Sequence, residues 1–128
     1  MKLIAAVCIF LASLSAIPAA DQEPLDVSMV QLIANAQKYD GKLIRVIGFL
    51  RLEFEGNELY LHREDYEKAI SKNGIWVDVY SETMKQSKNL DMHYVLLEGI
   101  FNASDHGHGG ASSGAIEKVR RAEIWPHE

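Results

Sequence analysis

One stretch, residues 41–56, constrains the fold of this chain more than any other part of its sequence. Residues 50–55 alternate apolar and charged side chains, which is typical of a β-strand with one buried and one solvent-exposed face. The opposite face of this strand is also apolar over the first half of its length. The strand is therefore expected to be buried on both faces in its first half and on one face in its second half, as in a sheet that curls. A glycine at the midpoint of such a strand marks a bend or a close approach. The alternation places these residues on the inner face: Ile44, Val46, Gly48, Leu50, Leu52 and Phe54.

Short strands and helices are predicted for the rest of the chain. A helix is predicted over residues 28–37, where Ser28 is a suitable N-cap and Gln31, three residues on, completes a capping box. A second inward glycine, Gly99, is expected at about the depth of Gly48. The remaining elements are predicted as strands over 58–62, 75–80, 93–101 and 115–125, and as helices over 63–71 and 81–90.

This order of elements predicts a mainly β fold with short helices. Five strands, a bent first strand, a helix between the third and fourth strands and a glycine-rich last connection are typical of an OB-like Greek-key barrel. The helix before the first strand is an addition to that five-stranded barrel. The alternative is an α+β sandwich built on a meander sheet.

The first twenty residues are typical of a secretory signal peptide. Lys2 precedes an apolar run over residues 3–14, and small residues follow up to Ala20. The run of about 12 residues is shorter than the roughly 20 that a membrane-spanning helix needs, although an uncleaved anchor is the alternative. We therefore expect a single OB-like domain over residues 21–128, with no transmembrane segment, exported to the periplasm or secreted.

Cysteine count and charge exclude several kinds of function for that domain. Cys8 is the only cysteine and lies in the predicted leader, which excludes thiol catalysis, disulfides and cysteine-ligated zinc in residues 21–128. The formal net charge is −5, and loss of Lys2 with the leader would make it −6. This acidic balance argues against nucleic acid as a partner, since its binding needs a basic surface.

Several segments of the sequence resemble a group of small exported bacterial OB-like proteins that are mostly uncharacterised. The resemblance implies an OB-like fold and an exported location, and it implies no activity. The segments that carry it span nearly the whole predicted domain: residues 27–35, 39–42, 46–50, 59–66, 73–78, 98–101 and 107–110, with Ser113 and Gly114.

The glycine-rich loop, residues 102–114, contains the most chemically suggestive pattern in the chain. Asp105 precedes His106 and His108, and imidazole with carboxylate suits zinc, copper or nickel. A protein site usually needs a third ligand, which His62 or His93 would have to supply. The alternative is a polar turn whose histidines are solvated or bonded to the backbone.

A binding surface without metal is also compatible with this sequence. In an OB-like barrel the last connection borders the usual binding face, and an exposed aromatic on a neighbouring strand can stack on a ligand. A hydrolytic triad from Ser112 or Ser113 with loop histidines and Asp105 is the weakest alternative, because one flexible loop would hold every member. The candidate ligand-binding residues are Trp76, Asp78, Asp105, His106, His108 and Ser113.

The sequence therefore favours an exported, non-catalytic binding module with no required cofactor, for a small molecule or a protein partner. The first alternative is a periplasmic metal-binding protein that holds zinc or copper through His106 and His108. The second alternative is a hydrolase.

Overall fold

The computed structural model describes residues 13–18 and 21–126. Most of the predicted signal peptide, including Cys8, and the last two residues of the predicted domain lie outside the described residues. No helix within the described ranges is long and apolar enough to cross a membrane.

Six strands and four short α-helices follow one another in the described chain. The strands are β1 (Leu25–Asp26), β2 (Leu43–Arg51), β3 (Glu58–Tyr60), β4 (Gly74–Val77), β5 (His93–Asn102) and β6 (Ala115–Ile124). The helices are α1 (Met29–Ala34), α2 (Ala36–Tyr39), α3 (Arg63–Glu67) and α4 (Glu82–Gln86), and a 3₁₀ turn covers Ser71–Asn73.

Five of the strands close into a barrel. β2 pairs antiparallel with β3 on one side and with β5 on the other. β3 continues antiparallel to β4, β4 pairs parallel with β6, and β6 returns antiparallel to β5. The helix α4 lies between the third and fourth barrel strands, and α1 precedes the first. The predicted mainly β fold, with a closed five-stranded barrel and a few short helices, is confirmed, and β1 adds one further strand.

The inward side chains of the strands form one apolar core. Ile44, Val46 and Leu50 of β2 are buried there, as the alternation predicts. Met29 and Leu32 of α1 pack onto the same core. The residues that complete the core from the other strands include Leu59, Ile75, Val77, Val95, Leu97, Phe101, Ile116 and Val119.

Gly48 and Gly99 are both places of close approach, as predicted for an inward glycine. A Cβ on Gly48 would lie 2.7 Å from Cγ of Leu59 and 2.8 Å from the carbonyl oxygen of Tyr60. A Cβ on Gly99 would lie 2.7 Å from the carbonyl oxygen of Glu117, beside a register shift in the β5–β6 ladder. The expectation of equal depth is wrong, because Gly99 pairs with Ile44 and Gly48 pairs with Val95.

The long strand ends earlier than its alternation predicts. β2 stops at Arg51, where the carboxylate of Asp91 accepts from the backbone N–H of Leu52 at 2.7 Å and from Arg51 at 2.6 Å. The Asp91 carboxylate takes the place of a hydrogen-bond partner on a neighbouring strand, so strand pairing ends here and the chain leaves the sheet. Phe54, predicted on the inner face, is instead 92% exposed.

Other element ends differ from prediction for local reasons. The capping box of Ser28 and Gln31 is confirmed, but Asn35 interrupts the predicted helix 28–37 with a backbone φ of −133°. Residues 25–26, for which no strand is predicted, form β1 and pair parallel with β2. The predicted helix 63–71 ends at Glu67, and Ala69 adopts a φ of +54°.

Candidate functional site

A cleft of about 340 Å³ lies against the outer face of β4. Ile75 and Val77 point into the core, so Trp76 and Asp78 face outward, as the sequence predicts. The β2–β3 connection forms one wall of the cleft. His108, which belongs to the glycine-rich loop and is distant in sequence, also lines it. We call this feature the Trp76 cleft; its borders are residues 53–57, residues 76–80 and His108.

The glycine-rich loop, which connects β5 to β6, lies directly on Trp76. A Cβ on Gly107 would be only 2.8 Å from Cε3 of the indole, and Gly107 has a φ of +74°. Both the contact and the backbone conformation favour glycine at this position. The close approach of the loop to the ring carries the next residue, His108, to the cleft.

An ion pair connects the two walls of the cleft when the histidine is protonated. Nε2 of His108 lies 3.2 Å from Oε2 of Glu55, and both side chains are more than half exposed. The pair joins the loop to the β2–β3 connection across the cleft. An exposed pair of this kind contributes little to stability.

Two aromatic side chains stand exposed at the border of the cleft. Phe54 is 92% exposed and Tyr80 is 81% exposed. The backbone N–H of Tyr80 donates to Oδ1 of Asp78 at 2.9 Å, which turns the chain outward after β4. The predicted strand 75–80 therefore ends at Val77, and the turn presents the tyrosine to solvent.

The structure divides the six predicted ligand-binding residues into two groups. Trp76, Asp78 and His108 line one cleft. The other three hold the loop together instead: Asp105 accepts from the N–H of Gly107 at 2.9 Å, Nδ1 of His106 lies 2.9 Å from the carbonyl oxygen of Ser112, and the Ser113 hydroxyl donates to the carbonyl of Lys72 at 2.6 Å.

The predicted metal ligands have separate partners. The described residues contain no group of three or more His, Cys, Asp or Glu side chains placed to hold a metal ion. His93, a predicted third ligand, has Nδ1 2.9 Å from the carbonyl oxygen of Asp91. His62, the other, lies 4.0 Å from a carboxylate oxygen of Asp65. A zinc or copper site at His106 and His108 stays a prediction, which titration of the double alanine variant with each metal would test.

The two serine hydroxyls of the predicted hydrolytic triad donate hydrogen bonds to residues outside that triad. Ser112 donates to Oε1 of Glu58, and Ser113 donates to the carbonyl of Lys72. The ring of His106 meets the carbonyl oxygen of Ser112 rather than its hydroxyl. This arrangement uses the serines to hold the loop, and it does not activate either as a nucleophile.

A buried carboxylate beneath the loop was missed by sequence reasoning. Glu58 and Ser112 are 8% and 3% exposed and share a hydrogen bond of 2.6 Å. Burial raises the pKa of Glu58, and the bond from Ser112 offsets part of that effect. A side chain on Gly74 would overlap the carboxylate. No pattern in the sequence connects Glu58 to a serine in a distant loop.

The fold has a solved structural neighbour. The crystal structure of a DUF3299 family protein from Pseudomonas aeruginosa PAO1 superimposes with a TM-score of 0.56. The match covers 84% of this chain and 99% of the Pseudomonas chain at 12% sequence identity, so it is a likeness of fold alone. No family model matches the sequence, and no curated protein does.

Proposed function

We propose that this chain is an exported, non-catalytic binding module and that the Trp76 cleft is its ligand site. One observation carries the proposal: Trp76 of β4, Asp78 just after the end of β4 and His108 of a distant loop line a single concave site. Among the predicted candidates, these are the three that the fold brings together.

Exposed aromatic side chains support a binding role for the cleft. Phe54 and Tyr80 are large side chains almost fully in water at its border, where neither contributes much to the core. Apolar surface left exposed around a concave site is a feature of binding surfaces. The volume of about 340 Å³ is near the lower end of small-molecule pockets, which run from roughly 300 to 1,000 Å³.

The chemistry of the lining favours binding over catalysis. The side chains that line the cleft are carboxylate, aromatic, aliphatic, amide and imidazole groups, and none of them is a serine, threonine, cysteine or lysine. The cleft therefore lacks the serine, threonine, cysteine and lysine nucleophiles of covalent catalysis. Its single histidine faces the carboxylate of Glu55 rather than a group that it would activate.

A fragment screen followed by NMR tests the proposed site. We would record ¹H–¹⁵N spectra of the full chain with neutral, anionic and cationic fragments, and map the amides that shift. Binders should move the amides of residues 76–80 and 108, and Tyr80→Ala should weaken them. Ile70→Ala is a matched control, because Ile70 is also an exposed apolar side chain and lies outside the cleft. Shifts scattered over the barrel, or equal effects of the two variants, would contradict the proposal.

We also propose that the chain belongs with small exported OB-like proteins and acts in the periplasm or outside the cell. Support comes from the leader-like residues 1–20 and from the parallel pairing of β4 with β6 in a closed five-stranded barrel. Cell fractionation of a C-terminally tagged chain, with mass spectrometry of its amino terminus, tests this part. Retention of residues 1–20 on a protein that stays in the cytoplasm would contradict it.

A further inference from the structure

We propose that the Trp76 cleft selects a small organic cation, an ammonium or guanidinium group attached to a short apolar body. This inference rests on the proposed function, since it names the ligand class of the same site. It follows from three observations: the sign of the charge on the cleft, its aromatic border and its size.

The charge of the cleft is negative. Three carboxylates line it, Glu53, Glu55 and Asp78, and no lysine or arginine is among its lining residues. Arg51 does not line the cleft, although it forms an ion pair with Glu53 at 3.2 Å. It also forms a shorter ion pair with Asp91, at 2.6 Å. The field in the cleft therefore attracts cations and repels anions.

Asp78 is the least compensated of the three carboxylates. Glu53 has Arg51 as an ion-pair partner, and Glu55 has His108 when that histidine is protonated, whereas Asp78 has no ion-pair partner among the described residues. Within those residues, the one hydrogen bond to its carboxylate comes from the neutral backbone N–H of Tyr80 and is accepted by Oδ1. An ionised carboxylate accepts several hydrogen bonds, so Asp78 keeps acceptor capacity and a negative charge that a cationic ligand can meet.

The aromatic border distinguishes an organic cation from a metal ion. Trp76, Phe54 and Tyr80 line the same cleft as Asp78. Aromatic rings attract ammonium and guanidinium groups through their quadrupoles, and they also cover the apolar part of such a molecule. A metal ion would instead require several oxygen or nitrogen ligands at short range, and no group of three such side chains is placed to supply them among the described residues.

The size of the cleft and the pairing of β4 along both of its edges favour a small molecule over a peptide as the ligand. The cleft measures about 340 Å³. An extended peptide commonly binds by adding a strand to a free sheet edge. β4 offers no such edge, since β3 pairs with one side of it and β6 with the other.

Choline and its neutral isostere 3,3-dimethyl-1-butanol are the probes that test the inference. The two molecules have nearly the same shape and differ in charge, and 3,3-dimethylbutanoate adds an anionic comparison. In NMR titrations of the full chain at low salt, choline should shift the amides of residues 76–80 and 108. We expect the neutral alcohol to bind at least about tenfold more weakly and the anion not to bind at the cleft.

Two acidic residues give a matched pair of variants. Asp78→Asn removes the charge but keeps an oxygen that can accept from Tyr80, and it should weaken choline by about fivefold or more without changing the neutral alcohol. Glu64→Gln removes an exposed charge from α3, outside the cleft, and should leave choline binding unchanged. Equal binding of choline and the alcohol, or equal effects of the two variants, would overturn the inference.

The same titrations separate this inference from the function it rests on. If neutral or anionic fragments bind at residues 76–80 and cations do not, the cleft is a binding site and the cation selectivity is wrong. If no fragment of any charge shifts these amides, both the inference and the proposed function fail.

Discussion

The hydroxyl of Ser112 donates a 2.6 Å hydrogen bond to Oε1 of Glu58, and both side chains are buried. The bond connects the glycine-rich loop to β3, where Glu58 is the strand partner of Trp76. Burial raises the pKa of Glu58 from its ordinary value of 4.5, and the bond from Ser112 only partly counters this. The loop that carries His108 is therefore fixed to a carboxylate that water solvates poorly.

A buried glutamate of this kind makes the barrel less stable as pH rises. Because the pKa of Glu58 is higher in the folded state, the folded protein binds its proton more tightly than the unfolded chain does. Its contribution is fully present below about pH 4.5 and is lost as pH rises through the raised pKa. We expect Glu58→Gln to remove this loss, which urea unfolding between pH 4 and pH 8 would measure. A variant that loses more stability at pH 7 than at pH 4, relative to wild type, would contradict this account.

The stability of Ser112→Ala relative to wild type should depend on pH in the opposite direction from that of Glu58→Gln. Ser112→Ala leaves the buried carboxylate of Glu58 without its side-chain hydrogen bond, which should cost about 1–3 kcal/mol at pH 7. The cost should be smaller at pH 4, where the carboxyl is protonated. Ser113→Ala is the control, since that hydroxyl donates to the neutral carbonyl of Lys72 and its loss should not depend on pH. Equal pH profiles for the two variants would be evidence against a charged Glu58.

Glu98 is a buried glutamate whose pKa moves the other way. Burial alone would raise its pKa, but hydrogen bonds from Arg45, Arg120 and Arg121 and the charge of Arg45 together lower it below 4.5. Its stabilisation is present above about pH 4.5 and is lost as pH falls through the folded-state pKa.

We therefore expect Glu98→Gln to destabilise the barrel at pH 7 by about 1–3 kcal/mol, because three partly exposed arginines lose a charged acceptor. Glu123→Gln, which removes an exposed partner of Arg121, should cost less than about 1 kcal/mol. Chemical unfolding at pH 7 and pH 3 gives the measurement. A penalty for Glu98→Gln that is as large at pH 3 as at pH 7 would contradict the arginine cluster as its cause.

The barrel was predictable because its signals are local. Alternation along β2, the inward Gly48 and the capping box at Ser28 each depend on residues within a few positions of one another, and each is confirmed. The end of β2 was not predictable, because Asp91 is 40 residues from Arg51 in the chain and replaces the strand partner there. Alternation alone placed Phe54 in the core, and that prediction was wrong.

The candidate site was predictable by residue type and only partly by position. Trp76 and Asp78 follow from strand parity, which places them opposite the buried Ile75 and Val77. Which loop residues join them depends on how the loop packs: Gly107 on the indole carries His108 to the cleft, while His106 turns to a backbone oxygen. The aromatic border of the cleft could not be predicted either. Phe54 lies beyond the point where contacts with the distant Asp91 end β2, and Tyr80 lies in the turn at Asp78 that ends β4.

Gly107 should be essential to the shape of the cleft, and Gly109 should not be. A Cβ on Gly107 would strain a backbone at φ +74° and approach the Trp76 ring to 2.8 Å, whereas a Cβ on Gly109 meets no atom within 4 Å. We expect Gly107→Ala to cost about 1–2 kcal/mol of stability, from left-handed strain and displacement of the loop. It should also shift the indole N–H resonance of Trp76 and weaken any ligand of the cleft.

Gly109→Ala should leave stability within about 0.5 kcal/mol of wild type and the Trp76 resonance in place, because its backbone is not left-handed and its surroundings are open. Chemical unfolding and the ¹H–¹⁵N spectrum measure both effects on the same samples. If the two alanines behave alike, the loop does not hold its position by contact with Trp76, and His108 reaches the cleft for another reason.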